Sequence, residues 1–264
     1  PLNPEDFLPG FALRSPAVTR SVPGRPISSF YGYIIDGIIQ SEEEALNHAR
    51  FPGYYDSDIY VNGERMQGVG KFKFRDINDD GVINGDDQTF IGNPHPDFTY
   101  GLNINLNYKN FDFTVFGQGV QGNDLFNHVR YWTDFELFQG NRDRRMLYDS
   151  WTPDNPGAKL PILDANDAQS GIPSTYFVED GSYFRLKNVQ LGFTFPEAIS
   201  SKLKASSLRV YIQAQNLFTI TSYSGLDPEI NLRNYNSGSD REIGVDFAAY
   251  PTPRSFIMGL NVQF

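Results

Sequence analysis

The twelve residues DINDDGVINGDD, from Asp76 to Asp87, carry the sharpest chemical signal in the chain. Oxygen-bearing side chains recur at alternate places, Gly holds the sixth and an acid the twelfth, which is the spacing of a calcium loop. Hard cations take oxygen ligands, and carboxylates crowded this closely otherwise repel one another. Asp76, Asn78 and Asp80 would supply side-chain oxygens, Val82 its carbonyl, Asn84 a direct or water-bridged contact, and Asp87 the closing carboxylate. Gly81 permits the sharp turn, and Ile83 is the expected buried anchor. Two features depart from an EF-hand. Asp87 replaces the usual Glu, and its shorter arm makes bidentate closure harder. The preceding KFKFRD alternates like a strand and not like a helix. The competing reading is an Asp/Asn/Gly turn with no ion. If Ca2+ binds, its expected role is structural, stiffening the loop that holds it.

The other reactive residue types are scattered. His48, His95 and His128 stand apart from any H-x-x-x-H or paired-carboxylate motif, and each is expected on a loop or at the surface. Glu42, Glu43 and Glu44 read as the solvated start of a short helix. Cys is absent, which excludes disulfides, thiolate metal sites and Cys nucleophiles. There is no nucleophile elbow, phosphate loop or dinucleotide fingerprint, so no catalytic role is expected. One further group is aromatic: Tyr131, Trp132, Phe135, Phe138, Tyr148 and Trp151. Such rings can stack on sugar faces, seat a partner protein or pack a loop on itself, and the sequence leaves all three open.

The elements that must position these residues are written in a period of two. Five segments, about 97–108, 110–121, 182–196, 206–221 and 252–264, alternate apolar with polar or small residues, as strands with two unlike faces do. In the first, Phe98, Tyr100, Leu102, Ile104, Leu106 and Tyr108 oppose Thr99, Gly101, Asn103, Asn105 and Asn107. Elsewhere Gln190, Gln213, Gln215 and Asn261 continue the polar set. A soluble antiparallel sandwich alternates in the same way. These strands exceed the usual five or six residues, and their aromatics gather near the ends, as in the girdles of a bilayer-spanning barrel. Short connections (around Lys109 and residues 196–207) also alternate with long ones (122–181 and 222–251), as short periplasmic turns alternate with long outer loops. The expected fold is therefore all-β: a transmembrane antiparallel β-barrel whose long extracellular loops carry short helices. Residues 1–96, including FYGYIIDGII from Phe30, are assigned to an extracellular region with a hairpin or strand of its own. LFNHVRYWTDFELF and NRDRRMLYDSW have helical spacing.

Bulk properties narrow the function. A net charge of −10 argues against a nucleic-acid partner. A mean hydropathy of −0.43 would suggest a water-soluble protein, but barrels with half-polar strands and polar loops reach such values. No apolar run is long enough for a transmembrane helix. The start, PLNPEDFLPG, reads as an internal cut in a longer polypeptide. Five strands cannot close a barrel, and open edges in lipid would cost several kcal/mol per unpaired backbone group, so further strands are expected from the same or a separate chain.

Taken in order, GRPISSFYGYIIDGIIQSEEEA, FKFRDINDDGVINGDDQTFIGNPHPDFTYGLNINLNYKNFDF, YFRLKNVQLGFTFP, LRVYIQAQNLFTITSYSGLDPE and YPTPRSFIMGLNVQF resemble the C-terminal part of SusC/RagA-type TonB-dependent outer-membrane transporters. The match runs from about Gly24 to Phe264. The resemblance implies the last strands of a 22-stranded barrel plugged by an N-terminal domain, in the outer membrane of a Gram-negative bacterium. It also implies a SusD-like surface lipoprotein as lid, a link to the TonB complex through the N-terminal part, and import of glycans or peptides. On this reading Asn103, Asn105, Asn107, Gln190, Gln213, Gln215 and Asn261 face the lumen. There they would suit polar uncharged solutes or form a hydrated wall against the plug, while the opposite stripes face outer-membrane lipid. Two other functions stay in view: a secreted calcium-binding β-sandwich with a carbohydrate-binding or adhesion role, and a non-transporting barrel that serves as a platform for surface proteins.

Overall fold

The computed structural model describes residues 8–9, 17–55, 60–61, 64–65, 68–135, 141–164, 167, 169–230 and 241–264. The chain divides into two compact units, one of Pro1–Pro94, Asp124–Glu179 and Ile230–Ala248, the other of His95–Asn123, Asp180–Glu229 and Ala249–Phe264.

The second unit is a single sheet. Its strands are β1 (Phe98–Tyr108), β2 (Phe111–Gln121), β3 (Tyr183–Thr194), β4 (Ser207–Thr221) and β5 (Ser255–Gln263). They are antiparallel in the order β5-β4-β3-β2-β1, so β1 and β5 are its edges. Each matches an expected segment to within three residues. β5 starts late because Pro251 and Pro253, which cannot donate to a ladder, precede it. The β1–β2 hairpin turns on two residues, Lys109 and Asn110, and not on Lys109 alone; Lys109 takes a left-handed φ of 54°.

Register carries each face across the whole sheet. One row runs Leu106, Phe113, Leu191, Ile212, Met258; the next row on that face runs Ile104, Val115, Val189, Ala214, Phe256. Between them lies the polar row Asn105, Thr114, Gln190, Gln213, interrupted at β5 by Ile257. One irregularity keeps the pattern intact. Apolar residues of β3 are odd-numbered from Val189 onward but even-numbered at Phe184 and Leu186. The register shifts between Leu186 and Asn188, leaving Lys187 as an extra residue against β2, and this bulge returns Leu186 to the apolar face opposite Gly117.

The first unit is held by an aromatic core. Phe30, Tyr54, Phe72, Phe74, Phe126 and Phe177 are each at most 2% exposed. Phe74 lies 5.4 Å from Phe51 and 5.6 Å from Tyr33 and Tyr54, ring centre to ring centre, mostly edge-on, the orientation that aromatic quadrupoles favour. The FYGYIIDGII stretch forms two strands, Ser29–Gly32 and Ile35–Ile38, and the second pairs with Phe72–Phe74. Tyrosine hydroxyls serve backbone groups of the Phe72–Phe74 strand: the Phe72 N–H donates to Tyr54 Oη (2.9 Å), and the Phe74 N–H to Tyr55 Oη (3.0 Å). A helix at Glu42–Asn47 starts where Ser41 accepts the Glu44 N–H at 3.1 Å, a side-chain cap reinforced by three acids at the positive end of the helix. Two short helices, Val129–Thr133 and Arg145–Tyr148, lie in the segments with helical spacing.

Candidate functional site

Two places answer to the sequence signals: the two-faced sheet and the Asp76–Asp87 loop. On the sheet, all seven polar residues singled out above share one face by register. Thr114 donates to Asn105 at 3.0 Å and Gln213 to Asn188 at 2.7 Å, so neighbouring side chains satisfy one another along the wall. The opposite face is open. Leu102, Leu106, Ile212, Met258 and Leu260 are 52–84% exposed, far more apolar surface in one patch than a water-soluble monomer leaves uncovered. From Phe98 to Tyr108, ten steps of about 3.4 Å tilted by roughly 40° rise about 26 Å, the height of the apolar band of a membrane barrel. A β-sandwich would bury this stripe beneath a second sheet, and among the described residues no second sheet lies over it.

Charges on the polar face stand in two groups that alternation alone did not single out. Towards the hairpin end, Arg209 forks onto Asp112 (2.9 and 2.5 Å), reaching from β4 to β2 above Gly192. A Cβ at Gly192 would collide with both partners, which explains the glycine. Towards the other end, Arg185 binds Glu229 (2.6 Å), Asp227 and the Thr219 hydroxyl, while Lys187 binds Glu229 at 2.5 Å. Burial pushes the Asp227 carboxyl up, but Arg185 and the N–H groups of Thr252 and Glu229 hold it below the ordinary carboxylate range. This cluster ties both arms of the connection between β4 and β5 to the wall. The available signal was the LDPE segment, two acids after a strand whose neighbour carries Arg185 and Lys187.

The loop folds around its own amides. Gly81 donates to Asp76 Oδ2 (2.8 Å), Asp80 to Asn78 Oδ1 (3.1 Å) and Val82 to Asp80 Oδ1 (2.8 Å). Asp87 is fully buried and accepts from Ile77 and Asn84, both at 2.8 Å, which closes the loop on a 3-10 turn at Gly85–Asp87. Gly81 takes a φ of 82°, the left-handed region that its place in a calcium loop requires. Ile83 is 1% exposed, as its anchoring role demands, and its N–H donates to the Arg50 carbonyl at 2.7 Å. The donor chemistry fits a hard cation, and Asp76 Oδ1 is a buried oxygen with no hydrogen-bond partner. The carboxylates are nevertheless not gathered: among the described residues, no three His, Asp or Glu side chains stand close enough to share an ion.

The remaining residues are placed as follows. Tyr131, Phe135 and Trp151 are 2–9% exposed, so their rings pack the first unit and are not open to a solute. Trp132 is half-buried and Tyr148 exposed; Phe138 lies outside the described residues. His128, expected on a loop or at the surface, stands in a turn but is 1% exposed. It accepts from Trp132 Nε1 at 3.2 Å, and burial pushes its imidazole down to about 4. Two buried charges in this unit have ionic partners: Asp134 accepts from Arg145 at 3.0 Å and from the Tyr176 hydroxyl at 2.5 Å, and Lys71 binds Asp164 at 2.7 Å.

No family model matches the chain. Curated relatives do. The chain is 37% identical over 262 residues to TonB-dependent receptor P3 of Formosa agariphila, covering 98% of this chain and 24% of that receptor. It is 30% identical over 220 residues to TonB-dependent receptor SusC of Bacteroides thetaiotaomicron, covering 80% of this chain and 20% of that one. Among solved structures, the RagAB peptide transporter matches with a TM-score of 0.66 and 24% identity over 97% of this chain and 25% of the matched chain. The RagAB peptide importer in its open-open state matches with a TM-score of 0.64. The fold is thus that of a stretch of TonB-dependent barrel wall, whose five strands alone do not close. The chain spans about a quarter of the length of the curated relatives it matches.

Proposed function

We propose that this chain, which belongs to the SusC/RagA family of TonB-dependent receptors, forms part of the wall of an outer-membrane importer. The observation that carries the reading is the apolar face, continuous over five strands and open along most of its area. Hydrocarbon is the solvent that makes such a surface stable, and the amide-rich face behind it is what a hydrated lumen needs. Residues outside this chain supply the remaining strands and plug of a 22-stranded barrel and the segment that engages TonB in a Gram-negative cell. The full receptor works with a SusD-like lipoprotein lid and imports glycans or peptides. The neutral amides of the lumen favour polar solutes of low charge without selecting between the two, and the chain takes no catalytic part. In the Asp76–Asp87 loop a structural Ca2+ would be held by Asp76, Asn78, Asp80, Asn84, Asp87 and the Val82 carbonyl. Support for it comes from the donor spacing and the orphaned Asp76 oxygen.

The test is uptake by cells that lack the full-length receptor, complemented with wild type or with Ile212→Arg. Wild type restores TonB-dependent accumulation of labelled oligosaccharide or oligopeptide, and the arginine variant, which puts a charge into the lipid-facing stripe, fails to reach the outer membrane. A receptor that assembles in the outer membrane yet restores no uptake would favour the platform role. One that is monomeric in buffer without detergent would end the barrel reading.

A further inference from the structure

The two ends of the sheet differ in charge. Around the β1–β2 turn and the 195–206 connection with its flanks stand four cations, Lys109, Lys202, Lys204 and Arg209, against two acids, Asp112 and Glu197, in a chain of net charge −10. Arg209 is spent on Asp112. Among the described residues, Lys109, Lys202 and Lys204 form no ion pair. The opposite end carries four acids, Asp97, Asp180, Asp227 and Glu229, against three cations, Arg185, Lys187 and Arg254, and two of those cations are paired with Asp227 and Glu229.

These lysines rise from apolar ground. Lys109 Nζ lies 5.3 Å from the centre of the Tyr108 ring, itself 70% exposed. Lys202 and Lys204 flank Leu203, 59% exposed, and Ile199 nearby is 43% exposed. The connection is a turn of helix at Glu197–Ser200 followed by a 3-10 turn at Ser201–Leu203, closed by Lys204 at a φ of 55°. It is seated by Ser200 and Ala205, both buried, and its apolar side chains point away from its own packing. The Phe111, Phe193 and Phe195 rings, paired at 4.7 and 5.1 Å, lie at the same end.

We propose that Lys109, Lys202, Lys204, Ile199 and Leu203 form a foot that binds anionic phospholipid headgroups in the leaflet at the hairpin end of the wall. The occupant follows from continuity and charge. The turns that carry the amines lie at the hairpin end of the apolar stripe, where its acyl layer must end, and Ile199 and Leu203 add exposed apolar surface beside them. Long basic side chains hold that position by keeping their stems in the apolar layer and their heads in the polar one, and anionic headgroups attract them. The foot rests on the reading that the apolar face lies in lipid, and its test separates the two.

The full-length receptor would be reconstituted in nanodiscs of mixed phosphatidylcholine and phosphatidylglycerol, and its retained lipid measured by native mass spectrometry. Wild type enriches phosphatidylglycerol. The triple variant Lys109→Gln, Lys202→Gln, Lys204→Gln lowers the enrichment about fivefold or more, the effect of a single basic residue near an anionic surface. Lys159→Gln, an exposed lysine of the other unit, leaves it unchanged. Heat-modifiable gel migration confirms that each variant is folded. Equal enrichment in wild type and triple variant overturns the foot while leaving the barrel intact. A receptor that does not insert into nanodiscs at all overturns both.

Discussion

The two units spend the same residue type in opposite ways. In the first, Phe30, Phe72, Phe74, Phe126 and Phe177 are at most 2% exposed; in the second, Phe98, Phe111, Phe256 and Phe264 are 50–88% exposed. One chain cannot treat phenylalanine by two rules in one solvent. The first unit satisfies the water rule, with rings inside and buried charges paired, or held by amides as Asp87 is. The second satisfies the membrane rule, with rings outside at the strand ends and amides on the opposite face. What differs between the regions is the medium each was built to meet.

Substitutions sharpen that contrast. Truncating a ring has the largest expected effect, and only in the first unit. Phe74→Ala leaves a cavity among Tyr33, Phe51 and Tyr54 and costs about 3–5 kcal/mol. Phe256→Ala, whose ring is 74% exposed, leaves no cavity and costs about 1 kcal/mol, one stripe contact with lipid. Hydrogen exchange of the Phe72–Phe74 amides and denaturant unfolding of the full-length receptor in lipid would read the two. Next come adjacent residues of β4. Ile212→Arg destabilises by about 2–4 kcal/mol when the residue meets the bilayer interior, whereas Gln213→Arg, one residue on and facing the other way, costs under about 1 kcal/mol. Equal costs would break the comparison.

A smaller effect is tied to pH. His128 is held neutral by burial, its folded value of about 4 lying below the ordinary 6.5. The unfolded chain therefore binds the proton first as pH falls. The stability contributed is whole above about 6.5 and drains away towards 4, with roughly 2 kcal/mol gone by pH 5. Exchange protection of the Phe126–Tyr131 amides should fall between pH 7.5 and 5 in wild type and stay flatter in His128→Asn. The smallest effect is calcium. Chelation should loosen the Asp76–Asp87 loop by about 1 kcal/mol when free Ca2+ stands a few-fold above Kd, and Asp76→Ala should abolish the response. Calorimetry that finds no heat when Ca2+ is returned to the stripped receptor would remove the ion.

How much was legible in the sequence differs between the same two regions. The sheet was written in a period of two, a local signal, so strand positions and the partition of Asn103, Asn105, Asn107, Gln190, Gln213, Gln215 and Asn261 onto one face could be read directly. The bulge at Lys187 could not, because a change of phase shows only against a partner strand. In the first unit, contacts join residues far apart in sequence, such as Tyr54 with Ser170 and Trp151 with Gln40. Whether Tyr131, Phe135 and Trp151 would be offered or buried was therefore open until the chain was folded, and for the same reason His128 could be placed on a loop or at the surface but its burial could not be read. The calcium-type loop falls between these cases. Its turn was legible from Gly81 and its anchor from Ile83, but Asp87 turned out to be engaged by the Ile77 and Asn84 amides.

The most direct test of the account is a parity scan along β1. Single cysteines would replace each residue from Tyr100 to Asn107 in a cysteine-free full-length receptor, spin-labelled in bilayers and probed with oxygen and a water-soluble nickel chelate. Labels at positions 100, 102, 104 and 106 should meet oxygen, which concentrates in hydrocarbon, and those at 101, 103, 105 and 107 should be shielded from it. A scan with no alternation, or with the nickel chelate reaching the even positions, would contradict the claim that lipid is what this face was made for.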